Sequence, residues 1–194
     1  MEIVVIKYNA GNVGSVANAL ERLGHRAIVT DDPGRIRQAS KVIFPGVGEA
    51  SSTMEHLKVR GLDYLIASLT QPVLGICLGM QLMCRRSEEG DTPGFGIFRE
   101  EVKRFREAPK VPHMGWNSID FSPSEPLFQS IDPASHFYFV HSFYAEAGDN
   151  TVAICQYGEP FSAALRHNNF YAVQFHPEKS GDVGLQVIRN FITI

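Results

Sequence analysis

The stretch GICLG, residues 75–79, places a cysteine between two glycines where an apolar run meets a helix-like pattern. A nucleophile on a sharp strand-to-helix turn projects above a sheet, and glycines beside it remove the Cβ atoms that would crowd the turn. Cys77 is therefore a candidate nucleophile for acyl transfer. The alternative is a buried thiol that fills space, as free cysteine often does. Cys84 and Cys155 lie in apolar runs without flanking glycines, and we expect them in the core.

A cysteine nucleophile needs a base, and the base needs a group that orients it. The segment YAVQFHPEKS, residues 171–180, contains both: an apolar strand leads to His176, Pro177 ends sheet pairing, and Glu178 follows. Residues i and i+2 of an extended segment point the same way, so the carboxylate can reach the imidazole. HPE alone is also compatible with a turn that ends a strand. The order Cys77, His176, Glu178 differs from the nucleophile–acid–histidine order of serine-type α/β-hydrolases.

The segment FPGVG, residues 44–48, is a candidate site for the oxyanion of a tetrahedral intermediate. It follows an apolar strand and supplies backbone N–H groups that a turn leaves free. The N–H of Val47 and the N–H of Leu78, the residue after the candidate nucleophile, would make the two usual donors. An ordinary Pro-Gly turn has the same composition, and that alternative stays open.

The elements that must position these residues alternate in the first half of the chain. Strands are predicted at 2–8, 26–30, 41–44 and 72–76, and helices at 11–24, near 33–39, within 49–70 and at about 78–86. Strands that alternate with helices, without hairpin signals, predict a parallel, doubly wound sheet. Open sheets of this kind carry their sites at the carboxyl ends of the strands, which is where FPGVG and Cys77 fall.

The second half is richer in β-forming residues. Strands are predicted at 116–121, 136–140, 151–157, 162–166 and 170–175, and a closing helix near 180–192. We expect these strands to add antiparallel pairings to the sheet. The segment 87–94 and the charged run 99–110 are predicted to lie on the surface. Residues 1–194 are expected to form a single α/β domain.

Composition argues against several classes of function. A net charge of −3 leaves no basic face for nucleic acid, and no apolar run approaches the roughly 20 residues that span a bilayer. We see no leader peptide, and three cysteines do not make a disulfide framework, so a reduced, cytoplasmic protein is expected. No phosphate-binding glycine loop and no zinc-site spacing is present, so neither a cofactor nor a metal is expected.

PGVG, GICLGMQ and HPE, in this order and spacing, resemble the motifs of the class I (triad) glutamine amidotransferases. The likeness runs from IVVIKYNAGNVGSV to the final helix, and it implies a flavodoxin-like sheet. It also implies a glutaminase, in which Cys77 attacks the side-chain amide of L-glutamine and ammonia leaves. Water activated by His176 would then hydrolyse the γ-glutamyl thioester. The implied substrate pocket comprises Gly48, Gln81, His141, Ser142 and Phe143.

Within that family, VPHMGWN (111–117) is most similar to the glutaminase subunits of imidazole glycerol phosphate synthases. This resemblance implies a separate (β/α)₈ cyclase subunit that receives ammonia through an internal channel. That partner forms imidazole glycerol phosphate and AICAR in histidine biosynthesis. The resemblance also implies partner contacts at Met114 and Trp116, and interface or gating positions at Tyr138 and Lys179. Trp116 and Tyr138 are equally compatible with core packing, and Lys179 with a solvated charge.

Two positions depart from the usual family pattern. The first strand ends in KYNAG where common members have an acidic residue, and Glu49 follows PGVG where a small residue is usual.

Three alternatives to the main hypothesis remain: a different synthase partner, a stand-alone hydrolase and a catalytically silent partner protein. The partner could be the synthase of anthranilate, carbamoyl phosphate or pyridoxal phosphate, or the chain could be a stand-alone γ-glutamyl cysteine hydrolase. A catalytically silent partner would be expected to have a damaged triad.

Overall fold

The computed structural model describes residues 1–8 and 12–194. The strands are β1 (Ile3–Ile6), β2 (Ala27–Thr30), β3 (Lys41–Gly46), β4 (Val73–Cys77), β5 (Arg86–Ser87), β6 (Thr92–Pro93), β7 (Glu101–Arg104), β8 (His113–Ser118), β9 (Asp120–Phe121), β10 (His136–His141), β11 (Phe143–Ala145), β12 (Thr151–Tyr157), β13 (Glu159–His167) and β14 (Phe170–Val173). The helices are α1 (Val13–Arg22), α2 (Pro33–Gln38), α3 (Ala50–Val59), α4 (Leu62–Ala67), α5 (Leu78–Met83) and α6 (Gly181–Thr193). Within the described residues, no helix is long and apolar enough to cross a membrane.

An eight-stranded sheet forms the centre of the fold, in the order β2-β1-β3-β4-β14-β13-β12-β9. The pairings from β2 to β14 are parallel, and β13, β12 and β9 continue the sheet with antiparallel pairings. The predicted open, mostly parallel sheet with antiparallel additions in the second half is therefore confirmed. Its central strand β4 lies between β3 and β14, so the carboxyl ends of three parallel strands meet at one edge.

Both faces of the parallel part of the sheet are buried. In β1, Ile3 and Val5 belong to one hydrophobic cluster with Phe191 of α6, whereas Val4 belongs to a second cluster with Leu57 of α3. Successive side chains of a strand point to opposite faces, so a strand covered by helices on both sides must be apolar throughout. The uninterrupted apolar run at the start of the chain follows from this layering.

The predicted helical stretch within 49–70 is two helices. Gly61 separates α3 from α4 with φ +65°, a left-handed conformation that glycine adopts without steric cost. The helix predicted at about 78–86 ends at Met83, where Cys84 turns to an extended conformation. Cys84 and Cys155 are buried as expected.

The segments 87–94 and 99–110 are exposed or half-buried at most positions, as predicted, but they also contain strands that the sequence did not indicate. Strands β5, β6, β7 and β11 form a second, four-stranded sheet. Val102 and Phe105 of the charged run are buried, and so is Glu100, whose carboxylate accepts a hydrogen bond from the backbone N–H of Asn150 at 2.8 Å. The predicted strand 116–121 is also divided, since β8 pairs with β10 in a separate ribbon and β9 joins the large sheet.

Candidate active site

Cys77 is the last residue of β4 and immediately precedes α5. Its backbone has φ +54° and ψ −109°, a conformation that non-glycine residues rarely adopt and that functional sites retain despite its cost. Its Sγ lies 4.0 Å from the Val140 carbonyl oxygen of β10. The strand-to-helix turn predicted from GICLG is therefore present, with the thiol at the edge of the sheet where β3, β4 and β14 end.

Close packing explains the two glycines around the thiol. A Cβ on Gly79 would lie 2.1 Å from the carbonyl oxygen of Phe44, and a Cβ on Gly75 would lie 2.8 Å from the Met83 sulfur. Both distances are shorter than any real contact, so larger residues there would push α5 away from β3 and β4. The glycines let α5 approach β3 closely enough to place Cys77 beside the PGVG segment.

His176 and Glu178 form a buried pair next to Cys77. The imidazole Nδ1 lies 2.8 Å from Glu178 Oε1, and both side chains are fully buried. Asn12 also donates to the same carboxylate oxygen, at 3.4 Å. The predicted geometry was wrong in one respect: Pro177–Lys179 form a 3-10 turn, and this turn, not an extended segment, carries the carboxylate back to the ring.

The groups around His176 change the pKa of its imidazole ring. Burial lowers its pKa, but interactions with the neighbouring Cys77 side chain and the Glu178 carboxylate, both of which favour the protonated ring, together raise the pKa to about 10. Its Nε2 is buried and has no hydrogen-bond partner among the described residues. Since Nδ1 is bonded to Glu178, Nε2 is the nitrogen left to exchange a proton with the thiol side of the site.

The PGVG segment runs beside Cys77. Gly46 pairs in register with Cys77 across β3 and β4, and Gly48 has φ +113°, which favours glycine. Glu49 caps α3 by accepting hydrogen bonds from the backbone N–H groups of Ser51 and Ser52. The Ser51 hydroxyl, which donates to the same carboxylate at 2.6 Å, and these backbone bonds lower the pKa of Glu49 to about 2. The departure at Glu49 is thus a helix cap and leaves the segment 45–48 intact.

Tyr8 explains part of the other departure from the family pattern, the KYNAG segment after the first strand. Its hydroxyl donates a hydrogen bond to the Pro45 carbonyl oxygen, and its ring packs against Phe44 at a centroid distance of 5.4 Å. The end of β1 therefore holds the start of the PGVG segment. Of the other two residues of the KYN departure, Lys7 is exposed, and Asn9 lies outside the described residues.

A cavity of about 340 Å³ opens above Cys77. Nine of the predicted residues line it: Val47, Gly48, Cys77, Leu78, Gln81, His141, Ser142, Phe143 and His176. Glu178 lies behind His176, and the predicted partner-contact residues do not reach the cavity. Among the described residues, no group of three or more histidine, cysteine or acidic side chains is arranged to hold a metal ion.

A family model described as glutamine amidotransferase class-I matches residues 4–194. The chain belongs to this family. A curated amidotransferase relative from Bacteroides thetaiotaomicron, imidazole glycerol phosphate synthase subunit HisH, is 56% identical over the full length of both chains. The protein of the same name from Pasteurella multocida is 46% identical over 98% of this chain and 96% of its own length. A crystal structure of a glutamine amidotransferase superposes with a TM-score of 0.76 at 18% identity, covering 98% of this chain and 97% of that one, which supports the fold.

The residues predicted to contact a partner of this amidotransferase lie on an exposed ribbon. Met114 and Trp116 of β8 are 63% and 56% exposed, so the core alternative for Trp116 is wrong. Tyr138 of β10 pairs with Trp116 across the ribbon, with ring centroids 5.9 Å apart, and is partly buried. Lys179 is exposed at the end of the 3-10 turn. Monomers seldom leave such a group of large apolar side chains in water unless a partner covers them.

The same ribbon is bonded to the triad. The Tyr138 carbonyl accepts a hydrogen bond from the His176 backbone N–H at 2.9 Å, and the Tyr138 N–H donates to Ser180 Oγ at 3.0 Å. Ser180 Oγ in turn donates to the His176 carbonyl at 2.7 Å. A displacement of β10 would therefore be transmitted directly to the backbone that carries His176.

Sequence reasoning missed three groups in this site. Glu89 is the acidic side chain in the cavity wall, and its carboxylate accepts from the Ala50 N–H at 2.8 Å. Burial raises its pKa, the Ala50 bond opposes that rise, and Glu49 adds to it. Glu89 belongs to the segment 87–94, whose apparent loop character concealed it. The buried Gln174 and His113 were also missed, although both stand inside motifs that the sequence singles out.

His113 supports the part of the cavity wall formed by residues 141–143. It stacks against Tyr157 at a centroid distance of 3.8 Å, and its Nδ1 lies 3.0 Å from His141 Nε2. His141 Nδ1 lies 2.7 Å from the Phe143 carbonyl, which can only accept, so Nδ1 carries the proton and Nε2 accepts from His113. Burial lowers the pKa of His113 to about 4 and that of His141 to about 3, so both rings are neutral at pH 7.

Proposed function

We propose that this chain is the glutaminase subunit of an imidazole glycerol phosphate synthase, which hydrolyses L-glutamine and passes ammonia to a separate cyclase subunit. The observation that carries the proposal is the Cys77 turn next to a buried His176–Glu178 pair, at a cavity of amino-acid size. Full-length relatives at 56% and 46% identity that carry the name of that synthase subunit support the choice of subfamily.

In the proposed reaction, His176 takes the proton of the Cys77 thiol, and the thiolate attacks the side-chain carbonyl carbon of glutamine. The carbonyl oxygen becomes an oxyanion that accepts from the backbone N–H groups of Val47 and Leu78. His176 then gives its proton to the departing amide nitrogen, and ammonia leaves a γ-glutamyl thioester. A water molecule activated by His176 adds to the thioester and frees glutamate and the thiolate. Glu178 holds the imidazole in the tautomer that these steps need.

Substrate binding would use both ends of the cavity. Glu89, the acidic residue among those that line the cavity, would supply the negative charge that the α-ammonium group of glutamine needs. Gln81 contributes its side-chain oxygen, because its amide nitrogen already donates to the Phe143 carbonyl at 2.8 Å. The segment 141–143, fixed by the His113–His141 pair, would form the remaining wall. This placement puts the substrate amide over Cys77.

The partner would bind at the exposed ribbon. Met114 and Trp116 present apolar surface next to Tyr138. The backbone carbonyl of Tyr138 accepts a hydrogen bond from the backbone N–H of His176, the proposed base. Uncoupled hydrolysis wastes glutamine, so we propose that partner binding shifts segment 46–48 and the ribbon toward the active arrangement. A free chain would then be slow, and the complex fast.

The test measures glutamate released from glutamine by the full chain alone, by the chain with a cyclase subunit, and by the complex with a ribulose-phosphate ligand of that cyclase. The proposal expects near silence from the chain alone and strong activity in the liganded complex, with Cys77→Ala inactive throughout. Full activity of the chain alone would favour the stand-alone hydrolase. Silence in the complex, with activity restored by a different synthase, would favour one of the other partners.

A further inference from the structure

Gln174 is a buried polar residue next to the nucleophile. It follows the last residue of β14 and precedes His176 by two positions, and its side chain has no exposed surface. Its backbone N–H donates to the Ala163 carbonyl at 2.9 Å, which fixes the main chain. The side-chain amide spans the space between Gln81 and Cys77, with Oε1 2.9 Å from Gln81 Nε2 and Nε2 3.6 Å from Cys77 Sγ.

The direction of these hydrogen bonds is determined by a backbone carbonyl. The oxygen of Phe143 can only accept, so the atom of Gln81 that lies 2.8 Å from it must be the amide nitrogen. The same nitrogen faces Gln174, and it therefore requires an oxygen there. Only the amide nitrogen of Gln174 is then left for Cys77. Gln174 is thus a hydrogen-bond donor to the sulfur, and the opposite side-chain orientation would place two donors against each other.

A donor is what the sulfur needs when it carries negative charge. Among the described residues, the Cys77 sulfur also lies 4.0 Å from the Val140 carbonyl oxygen, an acceptor that favours the protonated thiol. The sulfur is negative twice in the cycle: before it attacks the amide, and when the thioester collapses to glutamate. A hydrogen bond to the charged form stabilises that form, and it matters more because the Cys77 side chain is buried and has little contact with water. His176 gives up its proton during the reaction, whereas the Gln174 amide keeps its donor throughout.

We propose that Gln174 is a further catalytic residue, whose side-chain amide donates a hydrogen bond to the Cys77 thiolate before attack and again as the thioester is hydrolysed. The inference rests on the proposed role of Cys77 as the nucleophile. Gln81 has a second function in this arrangement, because its amide nitrogen holds the Gln174 amide in the orientation that turns the donor toward sulfur.

Gln174→Glu tests the role of the amide N–H group separately from that of the amide oxygen. A glutamate keeps an oxygen for Gln81 but presents an oxygen instead of an N–H group to the sulfur. Gln174→Met removes both polar ends without adding charge, so agreement between the two variants excludes an effect of the new carboxylate alone. Gln129→Glu, at an exposed position, is the matched control for adding one negative charge.

The first readout is the rate at which iodoacetamide alkylates Cys77, followed by peptide mass spectrometry across pH in the full chain and in its cyclase complex. We expect both Gln174 variants to raise the midpoint of the pH profile by about one pH unit. We also expect kcat for glutamine hydrolysis in the complex to fall about tenfold or more, with KM changed less than about threefold. Cys84 and Cys155, which are buried, must stay unmodified, and this checks that each variant is folded.

Midpoints and kcat values equal to those of the wild type and Gln129→Glu would overturn the role of Gln174. A loss of kcat with an unchanged alkylation profile would also overturn it, since a purely structural residue gives that result. Cys77→Ala distinguishes this failure from failure of the proposed function. If Cys77→Ala still hydrolyses glutamine, the nucleophile is wrong, whatever the Gln174 variants do.

Discussion

Loss of the Tyr8 hydroxyl tests how the end of β1 holds the oxyanion segment. In Tyr8→Phe the ring still packs on Phe44, so the change removes one oxygen and leaves the buried Pro45 carbonyl without the partner it has now. Burial, and secondarily the Cys77 thiolate, raise the pKa of Tyr8 well above its ordinary value, so the hydroxyl donates at every working pH. An unpaired buried acceptor costs about 1–3 kcal/mol of folding free energy.

For a chain of 194 residues, each kcal/mol lowers the melting temperature by about 2–4 °C, so Tyr8→Phe should lower it by about 2–12 °C. Thermal denaturation followed by circular dichroism measures this shift. Tyr64→Phe is the matched control, because Tyr64 is 82% exposed and should change the melting temperature by less than about 1 °C. The complex should also lose kcat with little change in KM, because the carbonyl adjoins segment 46–48. A Tyr8→Phe melting temperature and kcat equal to those of Tyr64→Phe would refute the reasoning.

Three further predictions follow from the site. Glu178→Gln should lower kcat of the complex about 10²–10⁴-fold with KM nearly unchanged, because the imidazole loses the charge that stabilises its protonated form; unchanged kcat in steady-state assays would contradict this. Trp116→Ala should weaken cyclase binding about 30-fold in calorimetric titrations, whereas exposed Val59→Ala should leave it unchanged; equal affinities would remove Trp116 from the interface. Burial holds the pKa of His113 and of His141 below the unfolded value of about 6.5, so the stability they contribute is present above that pH and is lost as pH falls through 4. Urea unfolding at pH 7.5 and pH 5 should therefore show a smaller difference for His113→Gln than for wild type, and an equal difference would contradict the assignment.

The parallel half of the fold could be predicted because its signals are local and strong. Buried strands such as β1 are uninterrupted apolar runs, and each is followed by a helix of clear periodicity, so the edge that carries Cys77 follows from topology. Strands β5 and β6 have two residues each and show no periodicity. The run REEVKRF has a buried Val102 between charged neighbours, and its burial depends on a sheet partner, β11, that lies about forty residues away.

The residues proposed to react with the substrate were easier to predict from the sequence than the residues that support them. Cys77 stands out by its glycines and His176 by the proline that follows it, since both features reflect local backbone geometry. Glu89, Gln174 and His113 act through partners that are distant in sequence, and nothing beside them in the chain marks those contacts. The backbone conformation between His176 and Glu178 was also predicted incorrectly, because a 3-10 turn and an extended segment can both bring the side chains of residues i and i+2 together.

The central claim is that Cys77 is the nucleophile that attacks glutamine. The most direct measurement treats the full chain in its cyclase complex with 6-diazo-5-oxo-L-norleucine, a glutamine analogue that traps an attacking thiolate, and maps the adduct by peptide mass spectrometry. We expect one adduct per chain, on Cys77, formed in step with the loss of glutaminase activity and slowed by added glutamine. An adduct on Cys84 or Cys155, or loss of activity without modification of Cys77, would contradict the account.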